Sequence, residues 1–175
     1  IFAKLGVAVT NIPPGELYTA LDRGTIDALE WVGPALDLNM GFQKIAPYYY
    51  TGWHEPATEL QFMVNQKKFD ALPKHLQVIL TTAMKVAAYD MYINSYDKSA
   101  VNWASIEKEY PNVKIRTFSP EIIKAMKQAN DELLTNMAAK DATFKEILDS
   151  QTAYMKKARK WTVISDYAYL KDNLE

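Results

Sequence analysis

Two prolines, Pro73 and Pro111, frame the stretch that most limits how this chain can fold. Proline is accepted at the start of a helix but not in its interior. It also pushes the residue before it out of the helical region. Between the two, Leu76, Ile79, Leu80, Ala83, Ala87 and Met91 recur at helical spacing. The pattern predicts one long helix, begun at Pro73 and stopped at about Tyr110 by Pro111.

Upstream the elements are shorter. Val7 to Asn11 is β-branched and followed by Pro13-Pro14, which reads as a strand ending at a turn. Gly15 to Arg23 reads as a short helix with Leu17, Ala20 and Leu21 on one face, closed by Gly24. Ile26 to Val32 reads as a second strand, and Gly33-Pro34 opens another helix carrying Ala35, Leu38, Phe42 and Ile45. Pro47 to Pro56 is an aromatic loop or crossover, and Glu59 to Asn65 alternates well enough to be read as a strand.

Downstream, Val113 to Phe118 is a strand. Ser119-Pro120-Glu121 combines a hydroxyl cap, a proline and an acid, the signature of a helix start. Ile122, Met126, Ala129, Leu133 and Met137 form that helix's expected buried stripe. Asp141 caps a further helix with Phe144, Ile147, Leu148, Tyr154 and Ala158 inward, and the aromatic segment from Thr162 to Leu174 is helical. Strands alternating with helices predict an α/β protein with helices around a sheet of four or five strands. Ligands in open α/β sheets sit beyond the strand C-termini, which places Glu30-Trp31 and residues 53–61 near a cleft.

With 175 residues, 49% of them hydrophobic, the chain can bury a sizeable core. Its net charge of −1 comes from interspersed signs without a basic face, which argues against nucleic acid as a partner. The absence of cysteine excludes disulfides, thiolate metal sites and cysteine nucleophiles. No window approaches the roughly 18 to 20 apolar residues of a membrane-spanning helix. The opening Ile1-Phe2-Ala3-Lys4-Leu5-Gly6 reads as the last turn of a helix with glycine just past its end, so sequence is expected to be missing upstream.

Catalytic motifs are sparse. No nucleophile elbow, phosphate loop or dinucleotide fingerprint is present, and the 6 glycines leave little room for a phosphate cradle. His54-Glu55 has the makings of a general base or a metal ligand. The other histidine, His75, sits behind Pro73 without metal-ligand spacing, and Pro56 favours a turn role for His54. On residue chemistry alone, Glu30-Trp31 is an exposed acid beside a core tryptophan.

The run Gly15-Glu16-Leu17-Tyr18-Thr19-Ala20-Leu21-Asp22-Arg23-Gly24-Thr25-Ile26-Asp27-Ala28 resembles the most recognisable segment of the dicarboxylate-type solute receptors of tripartite ATP-independent periplasmic (TRAP) transporters. Glu30-Trp31-Val32-Gly33-Pro34, then Ala46 to Tyr50 and Gly52-Trp53-His54-Glu55-Pro56, resemble the branch that carries 2-oxo and 2-hydroxy acids. Ser119-Pro120-Glu121 and the closing Trp161, Tyr167 and Tyr169 fit that branch, so the resemblance spans essentially the whole chain.

The resemblance implies a two-lobe, type II periplasmic-binding-protein-like α/β clamshell, of which this chain keeps mainly the second lobe and the C-terminal helices. It implies three parts: residues 1–56 as a partial second lobe with the ligand and cation strand, 57–110 as crossover strand and long helix, and 111–175 as return strand and C-terminal helices. It further implies a periplasmic, non-enzymatic receptor that hands a small carboxylate to a membrane permease. A Na⁺ or Ca²⁺ ion would bridge the substrate carboxylate, held by the Glu30 side chain and the Trp31 carbonyl, with Gln61 as a further oxygen donor. Trp31 and Trp53 would wall the pocket. The family's carboxylate-binding arginine lies upstream of the segment at which this chain starts, and Arg23 and Arg116 do not match its position. Two other readings compete. One is a helical interaction module that dimerises through the aromatic helix Trp161 to Leu174. The other is a carboxylate hydrolase or lyase resting on His54-Glu55 and Asp27/Glu30.

Overall fold

The computed structural model describes residues 1–52 and 60–174. Among these, helices dominate: α1 (Pro14–Asp22), α2 (Pro34–Met40), α3 (Gln66–Asp70), α4 (Lys74–Glu109), α5 (Pro120–Ala138), α6 (Ala142–Ile164) and α7 (Asp166–Asn173). Two short strands, β1 (Tyr48–Tyr50) and β2 (Lys114–Arg116), pair in parallel with Tyr49 opposite Ile115. The chain divides into two compact units, one made of 10–118 and the other of 1–9 with 119–175.

The helix boundaries follow the local chemistry. Pro73 stands at the N-cap of α4, which runs unbroken to Glu109. Ser119 accepts from the Ile122 amide at the start of α5, and Asp141 accepts from the Phe144 amide at 3.0 Å at the start of α6. Asn65 does the same for α3, taking the Lys68 amide at 3.1 Å. Gly41, with φ +81, ends α2; a Cβ there would meet the Tyr18 ring at 3.3 Å, so the position demands glycine twice over.

In the unit 10–118, α2 lies against the C-terminal part of α4, and β1 pairs with β2 beside it. Ile106 of α4 is 1% exposed, and Leu17, Ala35 and Phe42 are also buried. In the other unit, the 3₁₀ turn Phe2–Leu5 packs on α5, α5 on α6, and α6 on α7. Met126 and Ala129 are its buried side chains among the described residues.

Several sequence expectations are corrected. The sheet has two strands among the described residues, not four or five. Residues 7–11 form no strand: Val7 and Val9 are exposed, and no strand among the described residues bonds to them. Residues 26–32 turn a corner, because their amides are taken locally: Ile26 bonds back to the Ala20 carbonyl, and Val32 to the Asp37 carboxylate. Glu30-Trp31 therefore sits on the approach to α2 and not at a strand end. Residues 60–65 lack regular structure. Conversely, Tyr48 to Tyr50, expected as part of a loop or crossover, is a strand.

The burial expectations are corrected in the same way. Ile122, Leu133 and Met137 are exposed although they share a stripe with buried Met126 and Ala129, and Ile147 and Tyr154 of α6 are exposed as well. Apolar periodicity marks the face a helix can bury; a neighbour must still be there to cover it. The C-terminal segment is two helices broken at Ser165, whose hydroxyl donates to the Trp161 carbonyl at 2.8 Å.

Candidate functional site

The corner that carries Glu30 and Trp31 is built from both of its ends. Upstream, the C-terminus of α1 is closed by a tight set of backbone bonds: Arg23 N–H to the Thr19 carbonyl, Gly24 N–H to Leu21, and both Thr25 and Ile26 N–H to Ala20. Downstream, Gly33 is the N-cap of α2 with φ +149, a conformation that side-chain-bearing residues rarely adopt. Asp37, in the first turn of α2, reaches back to this corner. Its Oδ1 accepts the Gly33 amide at 2.9 Å and the Val32 amide at 3.2 Å. This resembles a capping box, one residue longer than usual, and its negative charge suits the positive end of the helix.

Asp37 is held in turn. The Tyr49 hydroxyl donates to its Oδ2 at 2.6 Å, tying the corner to β1. The Tyr49 ring meets Trp103 of α4 edge-on at 5.7 Å between centroids, a favoured aromatic geometry. One turn of α2 is also bonded directly to α4, since the Asn102 side-chain amide donates to the Pro34 carbonyl at 2.8 Å. Burial first, and then the bond and the charge of Asp37, push the Tyr49 phenol far above its ordinary value. It stays protonated and donating across the physiological range.

The candidate residues occupy different surroundings. Glu30 is exposed, and it makes an interaction with its surroundings. Trp31 is half-buried; its indole Nε1 is shielded from solvent and has no acceptor among the described residues. Gln43 Oε1 is likewise shielded without a donor, while its Nε2 donates to the Leu38 carbonyl at 3.3 Å. Gln61 is exposed, in the irregular segment before α3. Trp53, and with it His54-Glu55, lies outside the described residues.

The donor types suit a hard cation beside an anion. Glu30 offers carboxylate oxygens, and the chain at Trp31 offers a carbonyl. No three His, Asp or Glu side chains gather into a metal cage among the described residues. A cation here would need carbonyl or carboxamide oxygens and an anionic ligand to complete its shell. Asp37, Asn102 and Trp103, which help frame the corner, escaped the sequence reading, and Tyr49 enters it only as part of the aromatic loop. Asp37 left a local signal, an acid in the first turn after Gly33-Pro34; Asn102 and Trp103 left none.

Comparison with known proteins shows the family. Residues 1–141 match the model of the bacterial extracellular solute-binding proteins, family 7, and the chain belongs to that family. It is 37% identical over 171 residues to a monocarboxylate 2-oxoacid-binding periplasmic protein of Nostoc sp., covering 97% of this chain and 46% of that one. A TRAP periplasmic solute-binding protein from Colwellia psychrerythraea, solved with bound calcium and pyruvate, superimposes with TM-score 0.94 at 65% identity. The match covers 97% of this chain and 52% of that one. One from Pseudoalteromonas atlantica, with bound sodium and pyruvate, gives TM-score 0.92 at 62% identity over 99% of this chain and 52% of that one. A third, from Bordetella bronchiseptica, is a mixed-occupancy dimer with calcium and picolinate in one site; it gives 0.87 at 34% identity, over 95% of this chain and 49% of that one. The chain spans about half the length of these relatives. Its fold is thus that of part of a TRAP periplasmic binding protein.

Proposed function

We propose that this chain serves in a TRAP solute receptor that captures a small 2-oxo or 2-hydroxy acid together with Na⁺ or Ca²⁺ and delivers it to a membrane permease. The observation that carries this reading is the match, at 65% identity and TM-score 0.94, to a receptor holding calcium and pyruvate. The Glu30-Trp31 corner supplies the hard-oxygen chemistry that such a pair of ligands requires. No helix among the described residues is long and apolar enough to cross a membrane, which suits a receptor that docks on a separate permease. The compartment is the periplasm, and the role is carriage without turnover.

In this reading the Glu30 carboxylate and the Trp31 carbonyl hold the cation, with Gln61 as a further oxygen donor. A cation held there would supply a positive charge beside the substrate carboxylate. The Trp31 and Trp53 rings wall the carbon skeleton of the anion. The second reading, self-association, is favoured by a specific observation: Trp161, Ile164, Tyr167, Tyr169 and Leu174 are all exposed at the C-terminus. Such a face suits a homodimer. Deleting the residues after Lys160 should then convert a dimer to a monomer by light scattering, and a dimer that persists removes the helix from that role.

Equilibrium dialysis tests the receptor reading. The receptor that contains this chain, with the upstream arginine present, should retain pyruvate saturably in Ca²⁺ or Na⁺, lose it in a chelated, K⁺-only buffer, and lose it in Glu30→Gln. Retention indifferent to cation and to Glu30, or no retention under any condition, would refute it.

A further inference from the structure

We propose that Asp37 is a positioning residue for the cation: by accepting the Val32 and Gly33 amides it aims and polarises the Trp31 carbonyl. The inference rests on the receptor reading and adds to it a residue that touches neither ligand.

A trans peptide group is a rigid plane in which N–H and C=O point in opposite directions. The described residues contain no cis peptide. The Val32 N–H and the Trp31 carbonyl belong to the same plane, so fixing one fixes the other. The Val32 amide lies 3.2 Å from Asp37 Oδ1, and the Gly33 amide 2.9 Å from that same oxygen. Two successive amides converging on one atom hold the plane in place, with the Trp31 oxygen directed away from Asp37. An amide bonded to a carboxylate also shifts electron density toward its carbonyl oxygen. That oxygen becomes a stronger donor to a hard cation.

The anchor is itself immobilised from two further elements. Tyr49 donates to Asp37 Oδ2 at 2.6 Å from β1, and Asn102 of α4 bonds the Pro34 carbonyl at 2.8 Å. Gly33, at φ +149, lets the backbone bend back toward Asp37. The pair Glu30-Trp31 therefore stands on a corner whose far side is fastened to α2, β1 and α4. Outer partners of this kind orient and tune metal donors, and their loss costs about 10- to 100-fold in affinity.

Calcium titration calorimetry of the receptor that contains this chain, at saturating pyruvate, tests the assignment, with thermal melting as a check on folding. Asp37→Ala should weaken Ca²⁺ binding about 10- to 100-fold. Asp37→Asn keeps an oxygen for both amides and should stay within about threefold of wild type. Affinity that falls and recovers only in step with the melting temperature across the two variants would mark Asp37 as structural and overturn the positioning role. Ca²⁺ binding abolished by Glu30→Gln but unchanged in Asp37→Ala overturns the positioning role and leaves the receptor reading standing. No Ca²⁺ response in the wild-type receptor overturns both. Should the alanine variant fail to fold, ¹³C placed at the Trp31 carbonyl of the wild-type receptor decides. Its resonance should move when Ca²⁺ and pyruvate are added together, and a resonance that stays put overturns the proposal.

Discussion

The two ends of α4 have the same secondary structure and opposite surroundings. Toward its C-terminus, Ile106 is 1% exposed, Trp103 packs on Tyr49, and Asn102 bonds to α2. Toward its N-terminus, Val78, Ile79 and Val86 are exposed along one face of the helix; Tyr89, Tyr92 and Tyr96 follow, also exposed. The hydrogen bonds of that end are local, such as Thr81 Oγ1 to the Gln77 carbonyl and Asn94 to the Asp90 carbonyl. Intrinsic propensity suffices to write the helix, and packing decides which part of it is anchored. The candidate site belongs to the anchored end.

The largest effect that separates the two ends is a core truncation. Ile106→Ala should destabilise the chain by about 2–5 kcal/mol in urea unfolding. Ile79→Ala should change stability by no more than about 0.5 kcal/mol. Equal losses would mean that the N-terminal face is covered in solution.

Next comes the polar clamp. Tyr49→Phe leaves Asp37 Oδ2 without its donor and should cost about 1.5 kcal/mol, the low end for a hydrogen bond to a charged group. The same bond gives a pH signature. The folded phenol sits above its ordinary value, so the folded chain binds the proton more tightly than the unfolded chain. This contribution is fully present below the unfolded phenol value of about 10 and is lost as the pH rises above it. Urea midpoints should fall between about pH 10 and 11.5 in wild type and fall less in Tyr49→Phe. Parallel curves would show that Tyr49 is not the group responsible.

The smallest effect lies in the other unit. Lys4 meets Glu132 at 2.7 Å on an open surface, and this lysine, with help from Gln128, holds the Glu132 carboxyl below its ordinary value. That contribution is present above the ordinary carboxylate range and is lost as the pH falls through the lowered value. Exposed pairs contribute little, so Glu132→Gln should leave the neutral-pH melt nearly unchanged and make its acid limb slightly shallower. A shift as large as that of Tyr49→Phe would reverse the ranking of the two regions.

The sequence disclosed helices far better than strands. Pro73, Ser119 and Asp141 act within one turn of themselves, and each stands at the expected helix start. Val7, Val9 and Ile26 have the right residue types for strands, yet a strand exists only where another strand bonds to it. Tyr48 to Tyr50 becomes one because Lys114 to Arg116, more than sixty residues away, lies alongside. The family was legible in the run from Gly15 to Ala28 and in Glu30 to Pro34, which the match over residues 1–141 bears out. The frame of the corner was not. Tyr49 reaches Asp37, and Asn102 reaches Pro34, only once the chain has folded.

A cation and an organic anion meeting at the Glu30-Trp31 corner would be visible in crystals of the receptor that contains this chain, grown with Ca²⁺ and pyruvate and measured for the anomalous signal of calcium. A peak is expected about 2.3–2.6 Å from both a Glu30 carboxylate oxygen and the Trp31 carbonyl oxygen, with the pyruvate carboxylate in its shell. A calcium peak bound elsewhere, with Glu30 turned away from it, would remove both residues from the cation's shell.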